Sequence, residues 1–350
     1  MVHVALLLAC AVVIYLACEW FVNAVEWLGA HMRVGAIAVG TILAAVGTAL
    51  PESIVTLVAV TFGSHRQGDD IGIGAAMGGP LVVGTIAYGV TGATLLLRNR
   101  RRARVAAAVV PTTSADLADS GPEPTVLPPA ESARLAKDQT WFLIIFAVKV
   151  ALGLVAFAIK PWLGLLFFAA YGVYFWREMH ADGEDATSAD LEPLKLQPRR
   201  ATPASWAVIA QTLVTLVIIF GASQLFVRQL EWAGPALGLP AAVVAVLLSP
   251  IATEMPEVLN AIIWVRQGKT RLALANLSGA MMIQATVPSG IGILFTPWKF
   301  NAALILAGMA TAAAIGYLLW LLRTGRFTAA RLTAAAGFYA AFAVGLIFAV

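Results

Sequence analysis

The chain has 350 residues, of which 60% are hydrophobic and only 12% charged, with a net charge of +4. A soluble domain carries roughly 25% charged residues. Several uncharged stretches here exceed the ~20 apolar residues that cross hydrocarbon, which excludes a soluble globular class and leaves an all-α polytopic membrane protein.

Ten spans are predicted in chain order: Val4–Leu28, Val34–Phe62, Ile71–Leu97, Trp141–Ile159, Trp162–Trp176, Trp206–Trp232, Ala241–Val265, Leu272–Phe295, Ala302–Leu322 and Ala329–Val350. The first lacks a basic leader and is too long for a signal core, so it is read as a retained helix. The chain divides into residues 1–97 with three spans, a polar loop at 98–139, two spans within 140–176, a second polar loop at 177–204, and the remaining five spans at 205–350. The first loop carries Pro111, Pro122, Pro124, Pro128 and Pro129 among Ala, Ser and Glu, and is expected to be disordered. The second is acidic around Asp182–Glu192 and lacks the spacing of a calcium-binding EF-hand loop. No folded soluble domain is expected in either.

Of the 23 Lys and Arg residues, only Arg66, Lys160, Arg228 and Lys299 fall in loops after even-numbered spans, and Lys149 lies within span 4. The rest follow odd-numbered spans. Positive charge marks the cytoplasmic side, so both termini are expected outside, both long loops inside, and the membrane a prokaryotic inner membrane. The Arg98–Arg104 run is read as this topology signal, not as a nucleic-acid surface. Cys10 and Cys18 lie about 12 Å apart along one helix, too far for a disulfide. The four histidines sit at helix ends or in loops, so no haem or His-based zinc site is expected. No mid-span Ser–His pair or paired Asp supports an enzyme, and no cofactor is expected beyond transported cations.

The stretch Gly40–Glu52, GTILAAVGTALPE, holds Pro51 and Glu52 in mid-span. Proline breaks or kinks a helix, and a carboxylate at that depth is costly unless it faces a polar interior. Span 2 would measure about 43 Å if straight, against a ~30 Å core. Breakage at Gly47 and Pro51 is expected to absorb the difference.

The device recurs. At an offset of 205, Thr48, Pro51 and Glu52 match Thr253, Pro256 and Glu257; Phe21-Val22, Glu26-Trp27 and Gly29 also have counterparts. At an offset of 201, Gly78, Thr85 and Gly89 match Gly279, Thr286 and Gly290. Five spans per half is an odd number, so the second half enters from the opposite face: two inverted five-helix repeats. Interrupted helices at matching positions of such repeats are a secondary-transporter signature, with cargo held at the midplane.

Candidate cation ligands are Glu52 and Glu257, with Thr48 and Thr253 one turn before each. Oxygen donors of this kind suit Ca²⁺, or Na⁺ with fewer. Glu254 adds a third acid, and like charges that close favour proton uptake by one of them. Glu26 and Glu231, beside Trp27 and Trp232, read as interfacial anchors. Glu19 is left open.

GTILAAVGTALPE followed by a glycine-rich helix, then ATEMPE followed by LALANLSGAMMIQ, resembles the two α-repeats of the sodium/calcium exchanger superfamily, the cation/Ca²⁺ antiporters. The resemblance implies alternating access, with a two-helix gate sliding on an eight-helix body, and cation ligands at Glu52 and Glu257 beside Thr48 and Thr253. Asn276 and Gly279 fit its second motif. Gly79 and Val83 stand where the family has Ser and Asn or Asp; Ala280 and Gln284 stand at the matching positions of the second half. Glu254 stands where the family commonly has a small residue. A reduced cation set follows, with protons as a counter-ion. The expected activity is exchange of Ca²⁺ or a related cation against Na⁺ or H⁺. The alternatives are a Na⁺ or K⁺/H⁺ exchanger on the same scaffold and a non-transporting membrane relic. The expected partners are inorganic cations and the bilayer, and a monomer suffices.

Overall fold

The computed structural model describes residues 2–33, 35, 38–62, 65–109, 125–180, 191–236, 250 and 253–349. All its elements are helical. They are α1 (Val2–Met32), a π-helical turn (Val39–Ala44), α2 (Ala45–Phe62), α3 (His65–Val82), a second π-helical turn (Val83–Ala87), α4 (Tyr88–Val109) and α5 (Pro129–Leu154). A 3₁₀ turn (Lys160–Leu163) leads to α6 (Gly164–Met179), α7 (Ser205–Ala236), α8 (Met255–Arg266), α9 (Thr270–Phe295), α10 (Ala302–Arg323), α11 (Ala329–Thr333) and α12 (Ala336–Ala349). Among the described residues, six helices are long and apolar enough to cross a membrane.

The core is built around α9, which is buried over nearly its whole length. It packs against α2, α3, α5, α6 and α8 and against the first π turn. Small residues allow this. A side chain at Gly279 would collide with the Thr41 backbone, so glycine lets α9 cross the π turn at backbone distance. By contrast, α1 and α7 pack chiefly along each other, with lighter contact to α8, α2 and the π turn.

Span 2 departs from expectation. The helix α2 runs through Pro51 without interruption, and the irregular stretch is the π turn before it. A π turn carries an extra residue per hydrogen-bonded ring, so it shifts the backbone without a proline. Gly47 marks no break either. It makes room for the Phe21 ring of α1, which a Cβ there would meet at 2.8 Å. Pro256 lies in the first turn of α8, where a missing N–H costs nothing; most of the span before it lies outside the described residues.

The polar segments are more ordered than their composition suggests. The arginine run continues α4 to Val109, and α5 begins at Pro129; residues 110–124 lie outside the described set. Residues 191–204 form a strap along α1. The Asn23 amide donates to the Glu192 and Pro193 carbonyls, each at 3.3 Å, and the Trp27 indole donates to Glu192 at 2.8 Å. Glu19 pairs with Lys195 at 2.9 Å, which settles its surroundings. The tenth span is split into α11 and α12 by a tight turn at Ala334–Ala335.

Candidate functional site: a buried acid and amide cluster

Helix α8 opens with two carboxylates. Glu254 is its N-cap residue and Glu257 lies in its first turn; both are buried. Carboxylates belong at this end, because the first turn leaves N–H groups unpaired and carries the positive end of the helix dipole. Among the described residues, neither Glu257 oxygen meets a donor at hydrogen-bonding geometry. The Thr48 hydroxyl stands beside this carboxylate, but it donates to the Ala44 carbonyl at 3.2 Å. Thr253 behaves alike, donating to Pro250 at 3.1 Å. Each threonine has therefore spent its proton on its own backbone and has only an oxygen left to offer.

Glu254 reaches across to α3 and α9. The Gln284 amide donates to its Oε2 at 2.6 Å. Its Oε1 lies 2.6 Å from where a Cβ on Gly79 would stand, nearer than any real side chain tolerates. The glutamate thus fills the space that glycine leaves open. One turn beyond Glu257, Asn260 is fully buried with neither end of its amide paired, and Asn276 on α9 is in the same condition. Buried amides are normally hydrogen-bonded, and these two have no partner among the described residues. Asn260 was absent from the sequence-derived set. Its signal was its spacing of three from Glu257, which places both on one helical face.

Other predicted residues fall elsewhere. The side chains of Pro51, Glu52 and Glu231 lie outside the described set, so the structure leaves the Glu52 ligand role open. Glu26 is no interfacial anchor: it is buried, paired with Lys269 and bonded to the Trp264 indole at 2.8 Å. On α1, the buried Cys18 thiol lies 4.0 Å from the Pro256 carbonyl, so this helix touches the opening turn of α8. Among the described residues, no three His, Cys, Asp or Glu side chains gather as a metal cluster.

A second charged cluster joins the polar ends of α5 and α6, ahead of the apolar stretch that starts at Trp141. Arg134 pairs with Glu178 at 2.6 Å, and Arg177 with Asp138 at 3.0 Å and Glu178 at 3.3 Å. Burial, and then the Glu178 charge, push the Asp138 carboxyl up to about 7, against the pull of Arg177 and Arg134. A cavity of about 750 Å³ opens nearby between α5 and α10. Among the described residues its lining includes Lys137 and Arg323 and no acid.

A family model described as sodium/calcium exchanger protein matches residues 2–178 and 207–349. No curated protein sequence matches this chain. Its fold is similar to solved structures of the sodium-calcium exchanger NCX_Mj. The form soaked with 10 mM Na⁺ and zero Ca²⁺ is 15% identical, with 98% of each chain covered and a TM-score of 0.71. The form soaked with 2.5 mM Na⁺ and 1 mM Sr²⁺ is 16% identical, covering 100% of this chain and 99% of the other, at 0.70. The form soaked with zero Na⁺ and Ca²⁺ is 15% identical, with 98% of each chain covered, also at 0.70.

Proposed function

The chain belongs to the sodium/calcium exchanger family, and from that premise we propose that it exchanges Ca²⁺, or a related cation, against Na⁺ or H⁺. One observation carries the proposal: a fully buried carboxylate, Glu257, with no hydrogen-bond donor among the described residues, beside the Thr48 hydroxyl and one turn from the unpaired Asn260 amide. Burying an anion without a partner costs several kcal/mol. A cation loaded from either side of the membrane removes that cost. Glu257, Glu254 and Glu52 would supply charge, with Thr48, Thr253, Asn260 and Gln284 as neutral oxygens.

The ten-helix, inverted-repeat reading supports alternating access. So does the packing of α1 and α7 mainly on each other, which lets the pair slide as a unit. Basic-residue asymmetry places both termini outside a prokaryotic inner membrane. The Gly79–Glu254 exchange favours protons among the counter-ions. Glu254 supplies a titratable carboxylate where the family motif has a small residue, and its carboxylate shares the turn with Glu257.

The test is Ca²⁺ uptake into proteoliposomes, under a Na⁺ gradient and then a pH gradient. Uptake under either gradient, lost in Glu257→Gln and Glu52→Gln, is the expected result. Uptake of monovalent cations alone would shift the reading to a Na⁺ or K⁺/H⁺ exchanger. Absence of any flux would leave the relic.

A further inference from the structure

Lys149 of α5 is fully buried. Its ammonium makes no ion pair among the described residues. It donates instead to the Ala76 carbonyl of α3 at 2.8 Å and to the Ser289 hydroxyl of α9 at 3.1 Å. It also stands 4.9 Å from the centre of the Phe146 ring. Both acceptors trace back to a proline. Pro80 has no N–H for the carbonyl four residues earlier, which is that of Ala76. Pro288 has none for Gln284, and Ser289 donates to that carbonyl at 3.3 Å. One amine therefore joins two places where a proline inside a continuous helix removes a ladder hydrogen bond, one in each half of the chain.

The same stretches of helix carry the acid cluster. Gly79, one turn after Ala76, faces Glu254, and Gln284 donates to that carboxylate. A backbone carbonyl freed by a proline, a hydroxyl oxygen and an aromatic face form the set that a dehydrated monovalent cation takes up. An alkylammonium brings the same single charge, but on a stem that cannot leave.

The geometry points to Lys149 as a resident cation of the transport site, holding the place of one mobile monovalent cation and reducing by one the positive charges loaded in each cycle. This rests on the antiporter reading. It accounts for the missing side-chain ligands at Gly79 and Val83: a site with a built-in cation has one fewer ion to coordinate.

The experiment compares full-length wild type with Lys149→Gln, Lys149→Met and Lys149→Arg. Charge moved per Ca²⁺ is read from reversal potentials in proteoliposomes, and Na⁺-dependent thermal stability from the protein in detergent. The two neutral variants should carry one more monovalent cation per Ca²⁺ and gain a Na⁺-dependent rise in Tm. Lys149→Arg should match wild type. Unchanged charge per Ca²⁺ and an unchanged Na⁺ response in both neutral variants would overturn the inference while leaving the antiporter intact. If wild type moves no cation, the antiporter reading fails on its own. The thermal comparison then decides: a new Na⁺ response upholds the tethered cation, and none overturns it. If neither neutral variant folds, purification across the alkali cations from Li⁺ to Cs⁺ decides: rescue by one of them upholds the inference, and rescue by none overturns it.

Discussion

Two groups of buried charge sit in this molecule, and they are built on opposite principles. At the polar ends of α5 and α6, Asp138 and Glu178 each face an arginine at 2.6–3.3 Å. At the start of α8, Glu257 has no donor among the described residues, and among them the amides of Asn260 and, on α9, Asn276 are unpaired. The first group is closed by the protein itself, so it holds helices together. The second leaves its polar atoms without partners among the described residues. Burial is common to both groups; they differ in the completeness of their hydrogen bonding.

The comparison can be broken at several points. The largest effect is expected for Glu257→Gln. Loss of one charged ligand, worth about 3 kcal/mol, should cut exchange about 100-fold. The melting temperature should hold or rise, because an uncompensated buried charge is gone. A large drop in stability would mean that Glu257 is structural after all. Arg134→Ala should do the reverse, costing about 2 kcal/mol of stability by leaving Glu178 with only its longer ion pair, to Arg177, with flux per folded molecule unchanged. Denaturation and uptake measured on one preparation check both halves of that statement.

Gly79→Ala comes next. Its methyl would displace the Glu254 carboxylate, and we expect about a tenfold loss of exchange, or ~1.4 kcal/mol. Adding Glu254→Ala should relieve the clash and make the two changes non-additive. Additive losses would show that the two positions do not meet. The smallest effect concerns pH. Asp138 is shifted upward in the fold, from 3.8 to about 7. Over that window the folded state holds a proton that the unfolded state has released, so stability falls as pH rises. Asp138→Asn should flatten that slope and leave exchange intact, which thermal melts across the window would reveal.

Much of this was legible in the chain. The Pro-Glu pair at 256–257 announced the start of α8, because proline is tolerated in a first helical turn and an acid is favoured there. Pro51 misled, since the backbone chose a π turn ten residues upstream, and no residue type marks such a turn. Glu26 misled for another reason: a glutamate beside a tryptophan at a helix end looks interfacial until Lys269 arrives from the far half of the chain. Its partner is a product of tertiary packing and leaves no local trace. Asn260 was within reach, one turn from Glu257, but its weight came only from the finding that nothing hydrogen-bonds it. The split of the last span at Ala334–Ala335 falls in a run of alanines and carried no warning.

The 2.6 Å between the Glu254 carboxylate and the point where a side chain at position 79 would begin also ties the two positions together. They draw on a single volume. Any atom added at position 79 must be matched by movement of the carboxylate at position 254, so the reach of the acid and the bareness of the opposite helix act as one property of the chain.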